Sequence, residues 1–367
     1  MNISQVSQHY KPIVGGQEVY IANLIRTFAA AGHTSVVFQP DRGVRGPDIV
    51  PVPRIRGLPR LIKGSEPYVF NASLWLNCKR RLALSDIIIA HYAFSAWPLR
   101  QFANKSIILS HGIEWNVDEM GWDDRIHERV ARARLNDFVH VVNDTHYLRY
   151  FGYDLKPGQG VFTEVAPRKW FIPNCVDIDH FKRNEGLLRL KERKIILVPR
   201  QITKDRGIDL AIRAFKHLSE DDSELTLCIM GKQRGGSYMA YLLRLIADLE
   251  LKKRVIFEPP IDNYNMPDVY SSAVVTLIPT LRREGTSLSA LESMACETAT
   301  VSTDVAGLAD LPTVQAPAEV NAFAEAVQNT IRDREAIGQR QRISVCDQFT
   351  MVEWGKAWQS VIQSVAK

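Results

Sequence analysis

At 367 residues, 46% hydrophobic and 24% charged, the chain is too apolar for overall disorder and long enough for two domains that each bury a core. A net charge of +5 is too mild to indicate nucleic acid, so none is expected as a partner. The five cysteines (Cys78, Cys175, Cys228, Cys296 and Cys346) form no C-x-x-C pair, which argues against a zinc site or disulfide framework and fits a reducing cytoplasm. No apolar run is long enough to cross a bilayer, and MNISQVSQHYKPIVGG lacks the charged start and apolar centre of a secretion signal. A cytoplasmic protein is expected, with peripheral attachment at the inner face of the membrane as a further option.

NISQVSQ reads as a strand. Gly15 and Gly16 then punctuate a loop, Val19, Leu24, Phe28 and Ala31 keep helical spacing, Gly32 stops the helix, and TSVVFQ is a second strand. This is a βαβ unit. Two glycines at its first turn let backbone approach a ligand, but without G-x-G-x-x-G a turn needing positive φ explains them better. Residues 40–66 are an irregular Pro, Gly and Arg-rich excursion before PYVFNASLWLNCKRRLAL, a helix whose stripe is Phe70, Leu74, Cys78 and Leu82. Residues 42–81 hold nine Lys and Arg against Asp48 and Glu66, a local charge of +7. A solvated basic face is the plain reading, and docking on an anionic lipid or acceptor beside Trp75 the sharper one.

DIIIAHY and KSIILSHG have continuous Ile and Leu runs, as strands buried on both faces in a parallel sheet should. His91 and His111 follow them, where α/β sheets bind ligands, although a lone histidine is more often structural. FVHVVND is the next strand, followed by a short helix and by VFTEVAPRKWFIPNCVDIDHF, which contains the D-x-D pair Asp177 and Asp179. After a charged linker, Lys182 to Lys194, the strands KIILVPR, LTLCIMG and RVIFEPP alternate with helices and announce a second parallel sheet. Arg200, Lys204 and Arg206 crowd the loop after its first strand. Such a loop is usually just solvated, yet it has the chemistry of a diphosphate clamp.

The stretch PTLRREGTSLSALESMACETATVSTD, Pro279 to Asp304, is the most informative. It reads as strand end, charged loop and helix, with Thr286 and Ser287 as capping residues and a helix N-terminus suited to phosphate. Glu284 precedes the turn and Glu292 lies within the apolar run LSALESMA, where a carboxylate is costly unless hydrogen-bonded. An ordinary loop charge and a solvated helix face are the plain readings of these two. The tail from Val320 is helical, with Phe349, Val352, Trp354 and Trp358 as anchors of its last segment.

Over about thirty residues, EGTSLSALESMAC...TVSTDVAGLADL resembles the Glu, seven residues, Glu signature of retaining GT-B glycosyltransferases of family 4, with Glu297 and Ala299 standing where that family has Gly and Pro. The resemblance implies two Rossmann-like α/β domains facing across a cleft. They are an acceptor domain over residues 1–181, a donor domain over 182–348 and a last helix over 349–367 returning to the first. It implies that Glu284 contacts the donor sugar and Glu292 the ribose, with Gly285, Thr286, Ser287 and Leu288 near the phosphates. Gly15 and Gly16 lie against the donor phosphates in that family, and His111 of SHGIEW lies at the reacting sugar, whereas the segment of His91 has no comparable role. Arg200 matches the family's phosphate-binding arginine, whereas the lysine position that follows is shifted here, with Lys204 or Arg206 to fill it. IPNCVDIDHF matches the interdomain crossing, so its D-x-D is read as no metal site. The implied reaction moves a sugar from a nucleoside diphosphate to a hydroxyl of a glycan or lipid-linked acceptor, with retention and without metal or cofactor, in polysaccharide or glycolipid assembly. A nucleotide-sugar epimerase and an inactive nucleotide-sugar binding subunit are the alternatives.

Overall fold

The computed structural model describes residues 1–13, 15–54, 66–233 and 236–366, and these fall into two compact units, described separately below. The first takes in Met1–Leu155, Gln159–Ile172 and Gly355 onward; the second takes in Pro173–Trp354 with Lys156–Gly158.

In the first unit, β1 (Asn2–Val6), α1 (Gly16–Ala30) and β2 (Thr34–Pro40) form the expected βαβ turn. After β3 (Ile49–Val52) come α2 (Glu66–Ala83), β4 (Ile87–His91), β5 (Ser106–Ser110), α3 (Trp122–Arg134), β6 (Val139–Val142), α4 (Thr145–Tyr150), β7 (Thr163–Ala166) and β8 (Lys169–Phe171). Among the described residues the sheet runs β3-β2-β1-β4-β5-β6-β8-β7, parallel except for the last pair. Every residue of β4 and β5 is buried, as continuous Ile and Leu content requires. The sheet order reverses between β1 and β4, and this reversal leaves a crevice beyond the carboxyl ends of those two strands.

Helix α1 buries Tyr20, Ile21, Leu24 and Phe28; Val19 is only partly covered and Ala31 is exposed, so the stripe is carried by the tyrosine rather than the valine. Gly32 ends the helix at φ +75°. Gly15 does not need positive φ: it is extended (φ −149°) and is the N-cap of α1, its N–H donating to Glu18 Oε2 at 2.9 Å. The predicted stripe of α2 is buried as drawn. Of the basic stretch 42–81, residues 55–65 lie outside the described residues; in the rest, Arg45 pairs with Asp41 at 2.8 Å and Lys79 stacks over Trp75 at 4.1 Å. Among the described residues no helix is long and apolar enough to cross a membrane.

The second unit contains α5 (Leu188–Lys191), β9 (Ile195–Val198), α6 (Ile208–Asp221), β10 (Thr226–Met230), α7 (Gly236–Asp248), β11 (Val255–Glu258), α8 (Met266–Ser272), β12 (Ala273–Ile278), α9 (Leu288–Ala295), β13 (Thr300–Thr303), β14 (Val314–Ala316), α10 (Val320–Arg332) and α11 (Arg334–Gln348). Its strands are parallel, in the order β11-β10-β9-β12-β13-β14 among the described residues, and the order reverses between β9 and β12. Leu227, Ile229, Phe215, Phe323 and Val327 are part of its core.

The division lies between Ile172 and Pro173 rather than after Phe181, because PNCVDIDHF is tied into the second unit. Asn174 N–H donates to Thr286 Oγ1 at 2.7 Å, Val176 N–H to Phe349 O at 2.9 Å, and Arg342 Nη1 to Phe181 O at 2.6 Å. The last helix, α12 (Met351–Ala366), passes from the second unit to the first after Trp354 rather than at Phe349. In the first unit Trp358 is fully buried, its Nε1–H donates to Tyr20 Oη at 3.0 Å, and its ring meets Phe28 edge-on at 6.0 Å. Phe349 and Trp354 are buried too, but Val352 is 65% exposed and anchors nothing: it lies on the solvent side of the first helical turn.

Candidate functional site

In the second unit, β9 and β12 are neighbours that lead away in opposite directions, so the loops after them meet. Leu281 N–H donates to Asp205 O at 2.9 Å, stitching the two loops together by backbone. Gly207 makes that approach possible. It has φ +64°, and a β-carbon there would collide with the Pro279 carbonyl oxygen. Gly231, at the end of β10, is likewise pressed against the Arg200 carbonyl.

The stitched loops bring together three of the expected residues. Glu284 is not an ordinary loop charge: its side chain is only 10% exposed, and Oε2 accepts from both Arg200 Nη2 and Arg206 Nη1. Thr280 Oγ1, which the sequence reading missed, accepts from Arg200 Nη2 at 3.1 Å and lies 3.3 Å from Glu284 Oε2. Arg200 is buried, which pushes its guanidinium down to about 10, still charged at neutral pH, and its Nε has no partner among the described residues. Two cations face one anion here, so the cluster keeps a positive surplus. Lys204, one residue into the short 3-10 turn Lys204–Arg206, is exposed and stands outside the pairing.

Ser287 is the N-cap of α9, but its side chain does not cap. Oγ accepts from Arg200 Nη1 at 3.2 Å instead. Thr286 accepts from Asn174 instead, through its hydroxyl and its carbonyl. The loop is fixed from a third side by Gly307 N–H, which donates to Glu284 O at 3.0 Å. Among the described residues the Ser287 side chain makes no capping bond to the first-turn amides of α9, and the helix dipole adds to the positive surplus.

One turn further on, Glu292 is buried, which rules out the solvated face. Oε2 accepts from Tyr270 Oη at 2.8 Å, and Asn263 adds a second hydrogen bond. Burial pushes the carboxyl up to about 7, against the pull of those two donors. Neither partner was legible in the sequence, since nothing in local spacing marks Tyr270 or Asn263. Glu297, which stands where a glycine is expected, takes φ +58°, so the loop keeps its left-handed turn with a residue that pays about 1 kcal/mol or more for it. The D-x-D pair is a turn: Asp177 Oδ1 accepts from the N–H groups of Asp179 and His180, both at 3.2 Å.

In the first unit, His111 follows β5 and is half-buried. Its ring lies edge-on to Tyr20 at 5.2 Å and to Tyr92 at 5.3 Å, so the helix that starts at Gly15 and Gly16 is packed directly on it. Burial pulls its basicity well below the ordinary histidine value, so the ring is neutral. Glu114, three residues on, was not singled out from the sequence. It accepts from Ala93 N–H at 3.0 Å, and burial raises its carboxyl to about 8.

A family model described as Glycosyl transferases group 1 matches residues 180–344, and one described as Glycosyltransferase Family 4 matches residues 14–150. The chain is 30% identical over 351 residues to the D-inositol 3-phosphate glycosyltransferase of Nocardiopsis dassonvillei, across 83% of this chain and 79% of that one. It is 26% identical over 210 residues to the GDP-mannose-dependent alpha-(1-6)-phosphatidylinositol monomannoside mannosyltransferase of Mycolicibacterium smegmatis, across 54% of this chain and 51% of that relative's length. Among solved structures, the Anabaena protein Alr3699/HepE in complex with UDP is similar with a TM-score of 0.77 at 17% identity, over 99% of this chain and 100% of that one. That likeness gives the fold, GT-B.

Gly207→Ala adds both a left-handed strain of about 1–3 kcal/mol and a collision with Pro279. It is expected to lower the thermal midpoint clearly, while Gly236→Ala, with no described atom within 4 Å of the added carbon, leaves it nearly unchanged. Equal midpoints for the two variants in calorimetry contradict the stitched-loop description.

Proposed function

Because the chain belongs to the family 4 type of GT-B glycosyltransferases, we propose that it transfers a sugar from a nucleoside diphosphate sugar to an acceptor hydroxyl with retention, using side-chain cations in place of a metal ion. The observation that carries this reading is the buried cluster of Arg200, Arg206 and Glu284 beside the N-terminus of α9. When the bond from the anomeric carbon to the diphosphate oxygen breaks, its electron pair stays on the diphosphate, and that growing charge has to be stabilised where it appears. Arg200, Arg206 or Lys204, and the amides of Gly285, Thr286, Ser287 and Leu288 are suited to it in charge and in donor type.

Glu284 orients the guanidinium groups and serves the donor sugar through its remaining acceptor capacity. A carboxylate held by two arginines is a poor nucleophile, which favours direct transfer over a covalent sugar intermediate. In that step the acceptor oxygen bonds to the anomeric carbon, and the acceptor proton leaves on the departing diphosphate. Glu292, kept in an apolar helix by Tyr270 and Asn263, takes the ribose hydroxyls. Gly15 and Gly16 give the donor phosphates a close backbone approach, and His111 takes a sugar hydroxyl.

The relatives act, by their names, on inositol phosphate and phosphatidylinositol monomannoside, and a polyol or lipid-linked glycan acceptor in glycolipid or polysaccharide assembly suits the same chemistry here. The basic residues of α2, with Lys79 lodged on Trp75, then serve an anionic membrane surface.

Arg200→Ala is expected to lower turnover by about 10²–10³-fold, as removal of a comparable electrostatic donor does elsewhere, while EDTA changes little. Transfer abolished by EDTA and restored by Mg²⁺, with Arg200→Ala nearly intact, contradicts the cation mechanism. For the membrane, sedimentation with acidic vesicles is expected to exceed that with neutral ones and to fade with salt, since each Lys or Arg near the surface contributes about 1 kcal/mol. Equal pelleting with both removes that partner.

A further inference from the structure

Beneath His111 the first unit carries a chain of hydrogen bonds that decides which ring nitrogen holds the proton. His91, the last residue of β4, is fully buried. Its Nε2 lies 2.9 Å from Gln5 Oε1, and its Nδ1 lies 2.9 Å from Nε2 of His111. The two imidazoles are nearly parallel, 9° apart. The Gln5 amide, on β1, donates through Nε2 to Ser35 Oγ at 3.0 Å and presents Oε1 to His91.

Each link in this chain needs one proton, and a neutral imidazole carries only one N–H. Burial keeps both rings neutral, and for His91 the neighbouring His111 pushes the same way. Gln5 Oε1 can only accept, so the proton of His91 sits on Nε2. His91 Nδ1 then has a bare lone pair and can only accept, so His111 donates through Nε2–H. The remaining nitrogen of His111, Nδ1, is left with a lone pair and forms no hydrogen bond with the described residues.

We propose that Gln5 and His91 are positioning residues that lock His111 in its Nε2–H tautomer, so that His111 Nδ1 accepts a hydrogen bond from a sugar hydroxyl, a role that rests on the glycosyl-transfer reading. The ring has no freedom to turn away from this task. Tyr20 and Tyr92 wall it edge-on. Tyr92 itself is held at φ +78°, a conformation a bulky residue keeps only when its surroundings impose it, here with its N–H donating to Leu109 O at 2.7 Å. A fixed acceptor of this kind selects for a hydroxyl and against a group that only accepts, so a deoxyfluoro sugar is a poor replacement at that position.

Nitrogen-15 NMR of histidine-labelled protein reads the tautomers directly and needs no turnover. The expected spectrum has a pyridine-type Nδ1 and a pyrrole-type Nε2 at both histidines, the pyrrole-type Nε2 of His91 facing Gln5 and that of His111 facing His91. In Gln5→Met, which keeps the length of the side chain but removes the acceptor oxygen, the His111 nitrogens are expected to lose this fixed pattern and turnover to fall about tenfold with donor KM little changed. His91→Gln, whose Oε1 still accepts from His111, is expected to keep more turnover than His91→Phe. A pyrrole-type Nδ1 at His111 in the parent protein overturns the proposal even if Gln5→Met fails to fold. So does a Gln5→Met protein with unchanged tautomer and turnover. Should the parent show no sugar transfer at all, the glycosyl-transfer reading fails while the tautomer is still decided by the spectrum.

Discussion

The second unit depends on one buried charge. Taking the Glu284 carboxylate out of water costs several kcal/mol unless it is fully paired, and Arg200, Arg206 and Thr280 supply that pairing. The pairing does more than settle a local cost. It holds the loop after β12 against the loop after β9, where the order of the sheet reverses. Without the carboxylate, two guanidinium groups would face each other in a region where Arg200 is already desolvated enough to lose basicity. With it, they are held apart, oriented and left with a net positive charge, which suits the anionic leaving group of the proposed reaction. Glu284 is in this sense both a structural counter-ion and the reason the site is preorganised.

The first unit meets its own reversal point, between β1 and β4, with the opposite chemistry. Gln5, His91 and His111 are neutral and desolvated, and they work through the direction of hydrogen bonds rather than through charge. The contrast fits a division of labour between diphosphate and sugar hydroxyls. A phosphate is recognised by cations and amide dipoles, a hydroxyl by a matched donor or acceptor.

Much of this was legible in the sequence, for physical reasons that also mark the limits. Strands such as DIIIAHY and KSIILSHG announce themselves because a parallel sheet covered on both faces tolerates little but apolar residues. The frame from Glu284 to Glu292 is short, so its loop and helix could be read from local spacing. What could not be read is whatever depends on partners distant in the chain. Ser287 looked like a cap, but its oxygen serves Arg200, 87 residues away. Nothing near His91 in the sequence marks its contact to Gln5, 86 residues away. The domain boundary was set too late for the same reason, since Asn174 belongs to the second unit through Thr286, 112 residues on. Val352 fits the pattern of an anchor by residue type, and only the direction of its helix turn shows that it faces solvent.

The central claim is that side-chain cations and a helix N-terminus receive the diphosphate, while Glu292 receives the ribose. A crystal structure of the protein grown with UDP, collected with and without Mg²⁺, tests it most directly. The account predicts diphosphate oxygens within hydrogen-bond distance of Arg200 and of Lys204 or Arg206, close to the first amides of α9, with both ribose hydroxyls on Glu292 and the same contacts in either crystal. Nucleotide bound elsewhere, or a diphosphate held by Mg²⁺ on Asp177 and Asp179 with Arg200 still turned only to Glu284, contradicts it.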